Sequence, residues 1–227
     1  MPRFLVRDFG TCLNFSGGTN SVNCGVHSNI TTIASAISVS SWIKLKSTGS
    51  RMDFLGQWST PLGYHFNMSY FQGGVGFSAW ISTTGSNFFV AEGTTVPQKG
   101  IWYHVVHVYD GSNIFIYLNG IQDGIAAQTG SMYSSSTDNF YIGKDGDGNN
   151  VNALMDDVRL YNAALTATQV SNLYYGIEPP TTNLVSRWNF DEGSGTTAND
   201  SVGSNNGTIT GATYSTDVFM KPRTVAS

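Results

Sequence analysis

The sequence has little charge of either sign. Only 11% of its 227 residues are charged, and 15 acidic residues outnumber 11 lysines and arginines, which gives a net charge of −4. A nucleic-acid-binding protein needs a basic surface to neutralise phosphates, so nucleic-acid binding is excluded as the main function. No run of 18 apolar residues occurs, so no membrane insertion is expected.

The N-terminal residues 1–8 lack the long apolar run and the small-residue cleavage site of a secretory signal. These residues therefore predict no classical signal peptide.

Hydrophobic residues make up 40% of the chain, which is enough for a sizeable core and argues against disorder.

Helix-forming residues are scarce, whereas the chain has 26 glycines and 13% aromatic residues. Apolar and polar residues alternate with period two in segments about ten residues apart, the pattern of an antiparallel β-sandwich. One short helix is predicted at 166–175, because Thr166 and Gln169 form a capping-box pattern before an apolar stripe. The predicted strands are 39–45, 64–70, 75–81, 102–109, 114–118, 140–142, 154–161 and 184–190.

Cys12 and Cys24 are the only cysteines. The segment between them suggests a hairpin that turns at Gly17 and Gly18, which would place the two cysteines opposite each other. Cross-strand Cβ atoms lie about 4.5–5.5 Å apart, slightly above the usual disulfide range. A strained disulfide and a pair of reduced, buried thiols are both compatible with this hairpin, and the reduced pair is favoured.

Several motifs together resemble the laminin-G-like, concanavalin A-like family of jelly rolls. The motifs are residues 9–15, 100–111, 116–120, 141–143, 155–161, 164–174 and the C-terminal Trp-Asn-Phe-Asp-Glu-Gly-Ser-Gly at 188–195. The resemblance implies an all-β fold, a two-sheet antiparallel jelly-roll sandwich, and a non-catalytic binding or adhesion module.

The order of the motifs departs from the family, because the segment that normally comes first is here last. We expect residues 1–227 to form a single, circularly permuted domain in which 184–219 supplies the strand that is normally first. A tail of this size is too small to bury a core alone. A sandwich without its first strand would expose a long edge. A complete module followed by a fragment of another is the alternative.

Glycoside hydrolysis needs two carboxyl groups on either side of the scissile bond. Jelly-roll glucanases place a Glu, an Asp and a second Glu in alternation on one strand. The only glutamates here are Glu92, Glu178 and Glu192, and no two of them share a strand. The four histidines form no zinc motif. We therefore expect no enzymatic activity.

Two oxygen-rich loops are candidates for a structural Ca²⁺ ion. Asp145, Asp147 and Asn149 alternate along the first loop, and Asp156 stands at the twelfth position, as in part of an EF-hand. The sixth position is Asn150 instead of glycine, so a polar hairpin turn is the favoured interpretation. The second loop runs from Asp200 to Asn206. The family resemblance implies calcium as well, because family members often hold a structural calcium ion in such loops.

A carbohydrate site needs an aromatic ring beside hydrogen-bonding groups. Alternation places Trp80 on the face opposite the core residues of its strand, and His65 and Asn67 on the same face of the preceding strand. A short turn at residues 71–74 joins the two strands, and Trp58 lies in a nearby loop. These four residues are the predicted ligand-binding set, although Trp80 could instead pack beneath a loop or against the other sheet.

The favoured function is a module that binds a glycan or a surface receptor. The alternative is a structural virion protein, a capsid or tail decoration protein that docks to virion or surface-assembly proteins. Both interpretations place the protein in the extracellular space or on a virion surface, reached without a classical signal peptide. An exposed apolar patch around residues 88–90 would favour docking, and an aromatic groove would favour sugar.

Overall fold

The computed structural model describes residues 10–48, 50–59, 63–70, 76–134, 137–178 and 181–219. Residues 1–9 and the predicted turn at 71–74 lie outside this part of the chain. The strands are β1 (Cys12–Ser16), β2 (Ser21–Asn23), β3 (Ile37–Leu45), β4 (Met52–Ser59), β5 (Gly63–Tyr70), β6 (Phe77–Ile81), β7 (Phe89–Glu92), β8 (Trp102–Tyr109), β9 (Asn113–Leu118), β10 (Ile121–Ala127), β11 (Tyr141–Ile142), β12 (Asn152–Tyr161), β13 (Leu184–Trp188), β14 (Thr197–Ala198), β15 (Gly207–Thr210) and β16 (Thr213–Ser215).

The strands form two antiparallel sheets, which confirms the predicted sandwich. Sheet A has the order β10-β9-β8-β3-β12-β1-β16, with β13 also paired to β12. Sheet B has the order β14-β15-β2-β11-β4-β5-β6-β7. Alternating side chains from both sheets meet in one apolar core, which includes Phe66 and Met68 of β5 and Phe77 and Ile81 of β6.

The predicted helix is present as α2 (Ala167–Tyr174). Thr166 and Gln169 form the expected reciprocal capping box. The apolar side of α2, with Val170 and Leu173, packs on the outer face of sheet A. A second, four-residue helix, α1 (Ser28–Thr31), was not predicted, because it is too short for a periodic pattern. No helix in the described ranges is long and apolar enough to cross a membrane.

The predicted hairpin between Cys12 and Cys24 is wrong. Strand β1 pairs with β12 and β16 in sheet A, whereas β2 pairs with β11 and β15 in sheet B. The glycine-containing connection therefore crosses between sheets. Both cysteines are free and buried. Burial raises the pKa of the Cys12 thiol to about 12 and that of Cys24 well above its usual value, so both thiols stay protonated.

The C-terminal segment contributes strands to both sheets. Along one edge of β12, residues Asn152–Met155 pair with β1 and residues Val158–Tyr161 pair with β13. Strands β14 and β15 extend sheet B beyond β2, and β16 extends sheet A beyond β1. Trp188 and Phe190 are fully buried in the core. Circular permutation of the family order remains a prediction.

His107 is buried in the core. On β8 it is in register with Val39 and Ile116, two core residues on the neighbouring strands. Neither of its ring nitrogens has a hydrogen-bond partner among the described residues. Burial, and to a lesser extent the charge of His65, lowers the pKa of His107 to about 3.

We expect His107→Leu to remove part of the acid sensitivity of folding. The buried imidazole stays neutral while the unfolded chain takes up a proton near pH 6.5, so acid favours unfolding down to the folded pKa of about 3. The unfolding free energy of the variant should therefore rise relative to that of the wild type by about 1.4 kcal/mol for each pH unit below 6.5. Urea unfolding at pH 6.5 and 4.5 measures this difference, and parallel pH curves would contradict it.

Candidate functional site

The outer face of sheet A is covered by the chain itself. Helix α2 packs on one part of it. Beside the helix, the Phe219 ring stacks on Trp42 with centroids 4.2 Å apart and an interplanar angle of 8°. The Asp217 carboxylate pairs with the Lys44 ammonium at 2.7 Å. A ligand would have to displace these residues, so the outer face of sheet B is the better candidate.

Five residues in direct register form a row across the middle of sheet B. Asn23 on β2 pairs with Tyr141 on β11, which pairs with Gly56 on β4; Asn67 on β5 and Trp80 on β6 continue the row. Residues in register share one face of a sheet. Since the neighbours of Trp80 along β6 belong to the core, this central row lies on the outer face. The fold thus brings the predicted residues Asn67 and Trp80 together.

Three aromatic rings meet at the end of this row, and we call them the aromatic platform: Trp58, Trp80 and Phe88. The Trp80 ring lies 5.9 Å from Trp58 and 4.8 Å from Phe88, centroid to centroid. Trp58 and Trp80 are buried, with 3% and 6% of their surface exposed, whereas Phe88 is 48% exposed. The prediction that Trp80 and Trp58 contact the ligand is therefore corrected. Phe88 lies against both tryptophans, and it is the ring of the platform that faces solvent.

A guanidinium group lies beside the platform. The Arg51 Cζ is 5.2 Å from the centre of the Trp80 ring, a cation–π distance. Arg51 also pairs with Asp53, Nε to Oδ2 at 2.9 Å, and Asp53 Oδ1 accepts a 2.6 Å hydrogen bond from Asn67 Nδ2. Asp53 and Asn67 are fully buried, whereas the Arg51 side chain is 28% exposed. Arg51 can therefore offer donors to a ligand while the buried pair fixes its position.

The environment of Asp53 opposes its ionisation. Burial raises the pKa of this carboxyl to about 7, although the neighbouring Arg51 acts to lower it and the Asp145 carboxylate raises it further. The fold therefore favours the neutral form of this carboxyl up to a higher pH than in a free aspartate.

His65 does not join the platform. Its imidazole is fully buried, with Nδ1 2.9 Å from Gln57 Oε1 and Nε2 2.9 Å from the carbonyl oxygen of Ile33. Burial lowers the pKa of His65 to about 4. The alternation pattern correctly placed it on a strand beside Trp80, but it could not show that a distant loop covers the ring. His65 acts in the structure as a link between sheet B and the loop before β3.

A second aromatic group on the same face was missed by the sequence analysis. Tyr141 is half-buried, and the Lys144 ammonium lies 4.5 Å from the centre of its ring. Asn139 Nδ2 donates to the Tyr141 hydroxyl at 3.2 Å. The strand that holds Tyr141 has only two residues, so no alternation pattern was available to assign its face. Tyr141 extends the polar and aromatic surface toward Asn23.

The first predicted calcium loop is held by its own hydrogen bonds. Asp145 is buried, and both its oxygens accept from Asn149, from the backbone N–H at 2.9 Å and the side-chain amide at 2.8 Å. Arg51 Nη2 lies 3.8 Å from the same carboxylate. Asp147 is exposed in the loop, and Asp156 lies on β12 of the other sheet. These contacts match a polar turn, but the predicted hairpin is wrong, because the loop joins β11 of sheet B to β12 of sheet A.

In the second predicted calcium loop, the Asp200 carboxylate accepts hydrogen bonds from backbone N–H groups. Asp200 Oδ1 accepts from the N–H groups of Arg187, Val202 and Gly203, and Oδ2 accepts from that of Asn205. These bonds lower the pKa of Asp200 against the opposing effect of burial. The side-chain oxygen of Asn206 accepts from Asp200 N at 2.8 Å.

The fit of a cation to these loops is poor. The Asp200 oxygens already face N–H dipoles, which repel a cation, and Arg51 lies beside Asp145. No three His, Cys, Asp or Glu side chains within the described part of the chain converge as metal ligands. Bound calcium stays a prediction, and the geometry of both loops weighs against it.

The chain belongs to the concanavalin A-like lectin/glucanases superfamily, whose family model matches residues 16–171. The resemblance seen in the sequence is thereby confirmed. No curated protein matches the chain.

Several solved structures share the fold. A Bacteroides ovatus protein to which carbohydrate binding has been ascribed is 19% identical, with a TM-score of 0.72 over 91% of this chain and 60% of its own. The heptameric SAP-like pentraxin of Limulus polyphemus is 18% identical, with a TM-score of 0.59 over 77% of this chain and 87% of its own. Domain 4 of the extracellular arabinanase AbnA of Geobacillus stearothermophilus, solved with arabinotriose, is 20% identical, with a TM-score of 0.53 over 72% of this chain and 87% of its own. At these identities the likeness shows the fold, and this chain spans about 60% of the Bacteroides ovatus protein.

Proposed function

We propose that the protein is a non-catalytic carbohydrate-binding module that holds a glycan on the outer face of sheet B. The observation that carries this proposal is the half-exposed Phe88 ring on the buried Trp80 and Trp58, with Arg51 also against Trp80. A sugar has an apolar C–H face that stacks on a ring and hydroxyls that accept from a guanidinium group. The arabinotriose bound to one structural relative and the carbohydrate binding ascribed to another support the same class of ligand.

The positions of the carboxylates support binding without hydrolysis. The Glu178 carboxylate pairs with Arg159. The Glu192 carboxylate accepts hydrogen bonds from Asn199 and Tyr214 of the C-terminal segment. On the candidate face, Asp53 and Asp145 are fully buried and pair with Arg51, whereas Glu92 is exposed and in register with Ser78. A catalytic pair must place carboxyl groups on both sides of a glycosidic bond, and one exposed carboxyl group does not supply such a pair.

Phe88→Ala should weaken glycan binding about fivefold, because stacking on one ring contributes on the order of 1 kcal/mol beyond buried area. The half-exposed ring should cost only about 1 kcal/mol of folding stability when it is removed. The ligand would first be selected on a glycan array that includes arabino-oligosaccharides, and its affinity would then be measured by isothermal titration calorimetry.

Phe89→Ala is the matched control for this measurement. Phe89 is the next residue, is 38% exposed, and pairs with the core-facing position Ile81 instead of Trp80. It should retain the wild-type affinity. Equal losses in both variants, or no binding by the wild type to any glycan on the array, would contradict the proposal.

Docking to a particle surface is the second candidate function. Phe88 and Phe89 are both exposed on adjacent positions, which is the apolar patch expected for a docking module. If the protein is a virion or surface decoration protein, both alanine variants should lose attachment to the assembly. The Phe88 and Phe89 variants therefore separate the two functions.

A further inference from the structure

A cleft separate from the platform lies where three parts of the chain meet. It has a volume of about 280 Å³ and is formed by the loop before β3, the residue after β12 and strand β13. Its lining residues are Asn29, Thr32, Ile33, Ala34, Ser35, Ala36, Asn162 and Val185. Val185 contributes to the lining from the C-terminal segment, where β13 pairs with β12.

The walls of this cleft are fixed by hydrogen bonds to distant residues. The Ile33 carbonyl oxygen lies 2.9 Å from the buried His65 Nε2, and the Ala34 carbonyl accepts from Met132 N at 2.7 Å. On the other side, Asn162 N donates to the Asn183 carbonyl at 3.0 Å. Binding pockets are usually preformed in this way, because a rigid wall loses little entropy when a ligand enters.

The lining is mainly polar and uncharged, with a small apolar part. Ile33 is 6% exposed and Val185 is half-buried, whereas Asn29, Thr32 and Asn162 are exposed. All eight lining residues are uncharged. Each side-chain amide offers two donors and an acceptor, so the lining can bond hydroxyl groups in either direction. A charged ligand would find no opposite charge in this lining to offset its desolvation.

We infer that this cleft is a second ligand site, which takes a neutral polyhydroxylated molecule of the size of one sugar residue. Its volume lies just below the range of about 300–1,000 Å³ for the pockets of drug-sized ligands, so the ligand is small. The two asparagine amides bind the hydroxyls, and Ile33 and Val185 offer a small apolar contact to a C–H group. This inference does not depend on the platform, which lies on the outer face of sheet B.

The test is a titration of the full chain by two-dimensional NMR. The probes are glucose, galactose and arabinose, with glucuronate as the charged comparison. Millimolar affinity is expected for so small a ligand, with saturable amide shifts at Asn29, Thr32 and Asn162 and weaker shifts from glucuronate. Asn162→Ala and Asn29→Ala should each weaken binding at least fivefold. Asn172→Ala removes a half-buried amide on α2 and should leave the affinity unchanged.

The outcomes separate the two sites. Saturable shifts in the cleft alone support this inference and leave the platform without support. Shifts confined to residues around Phe88 and Arg51 overturn the cleft and leave the proposed function standing. The cleft is also overturned if glucuronate binds as well as glucose, or if neither Asn162→Ala nor Asn29→Ala weakens binding. Unchanged amide dispersion in both variants would show that each is folded.

Discussion

Deleting residues 177–227 should leave a chain that aggregates instead of folding. The deletion removes β13 from β12, β16 from β1 and β15 from β2, which exposes backbone edges in both sheets. It also removes Trp188 and Phe190, two fully buried rings of the core. Loss of either ring alone would cost about 3–5 kcal/mol, a large part of the stability of a typical domain.

Size-exclusion chromatography and thermal unfolding of residues 1–176 measure this effect. The control is a permuted chain in which residues 181–219 precede residues 10–178 through a flexible linker, since this keeps every described strand and gives the order that the permutation prediction assigns to the family. That chain should be soluble and monomeric. A soluble, cooperatively melting monomer of residues 1–176 would show that the single-domain prediction is wrong.

Trp80→Ala should destabilise the protein by about 3–5 kcal/mol, the usual cost of truncating a buried tryptophan. The ring is 6% exposed, its Nε1 donates to Ser78 Oγ at 2.8 Å, and it supports Arg51 and Phe88. Chemical unfolding measures the change in unfolding free energy. Phe88→Ala serves as the comparison and should cost about 1 kcal/mol. Equal costs in the two variants would contradict the assignment of Trp80 as the buried support of the platform.

Local patterns were sufficient for most strands and for helix α2. The predicted strand 102–109 matches β8 at both ends, because aromatic and β-branched residues fill it and an Asp-Gly turn signal follows it. The capping box of Thr166 was visible because its partners are three residues apart. The hairpin through Cys12 and Cys24 failed because a glycine turn signal does not show whether the chain returns to the same sheet or crosses to the other.

The sequence predicted only part of the site, again because a local pattern does not show contacts between distant segments. Alternation placed Asn67 and Trp80 on one face, and the register of β5 and β6 agrees. The residues that cover this face come from elsewhere in the sequence. Arg51 and Phe88 lie on Trp80, and Ile33 covers His65. Contacts between distant segments leave no mark in a local pattern, so the exposed ring of the platform and the neutral cleft became visible only in the fold.

A crystal structure of the protein with its preferred oligosaccharide tests the proposed function most directly. The account predicts sugar density on the outer face of sheet B, with one ring stacked on Phe88 and a hydroxyl within hydrogen-bond distance of Arg51. Density on the outer face of sheet A, or an empty platform at a saturating ligand concentration, would contradict it.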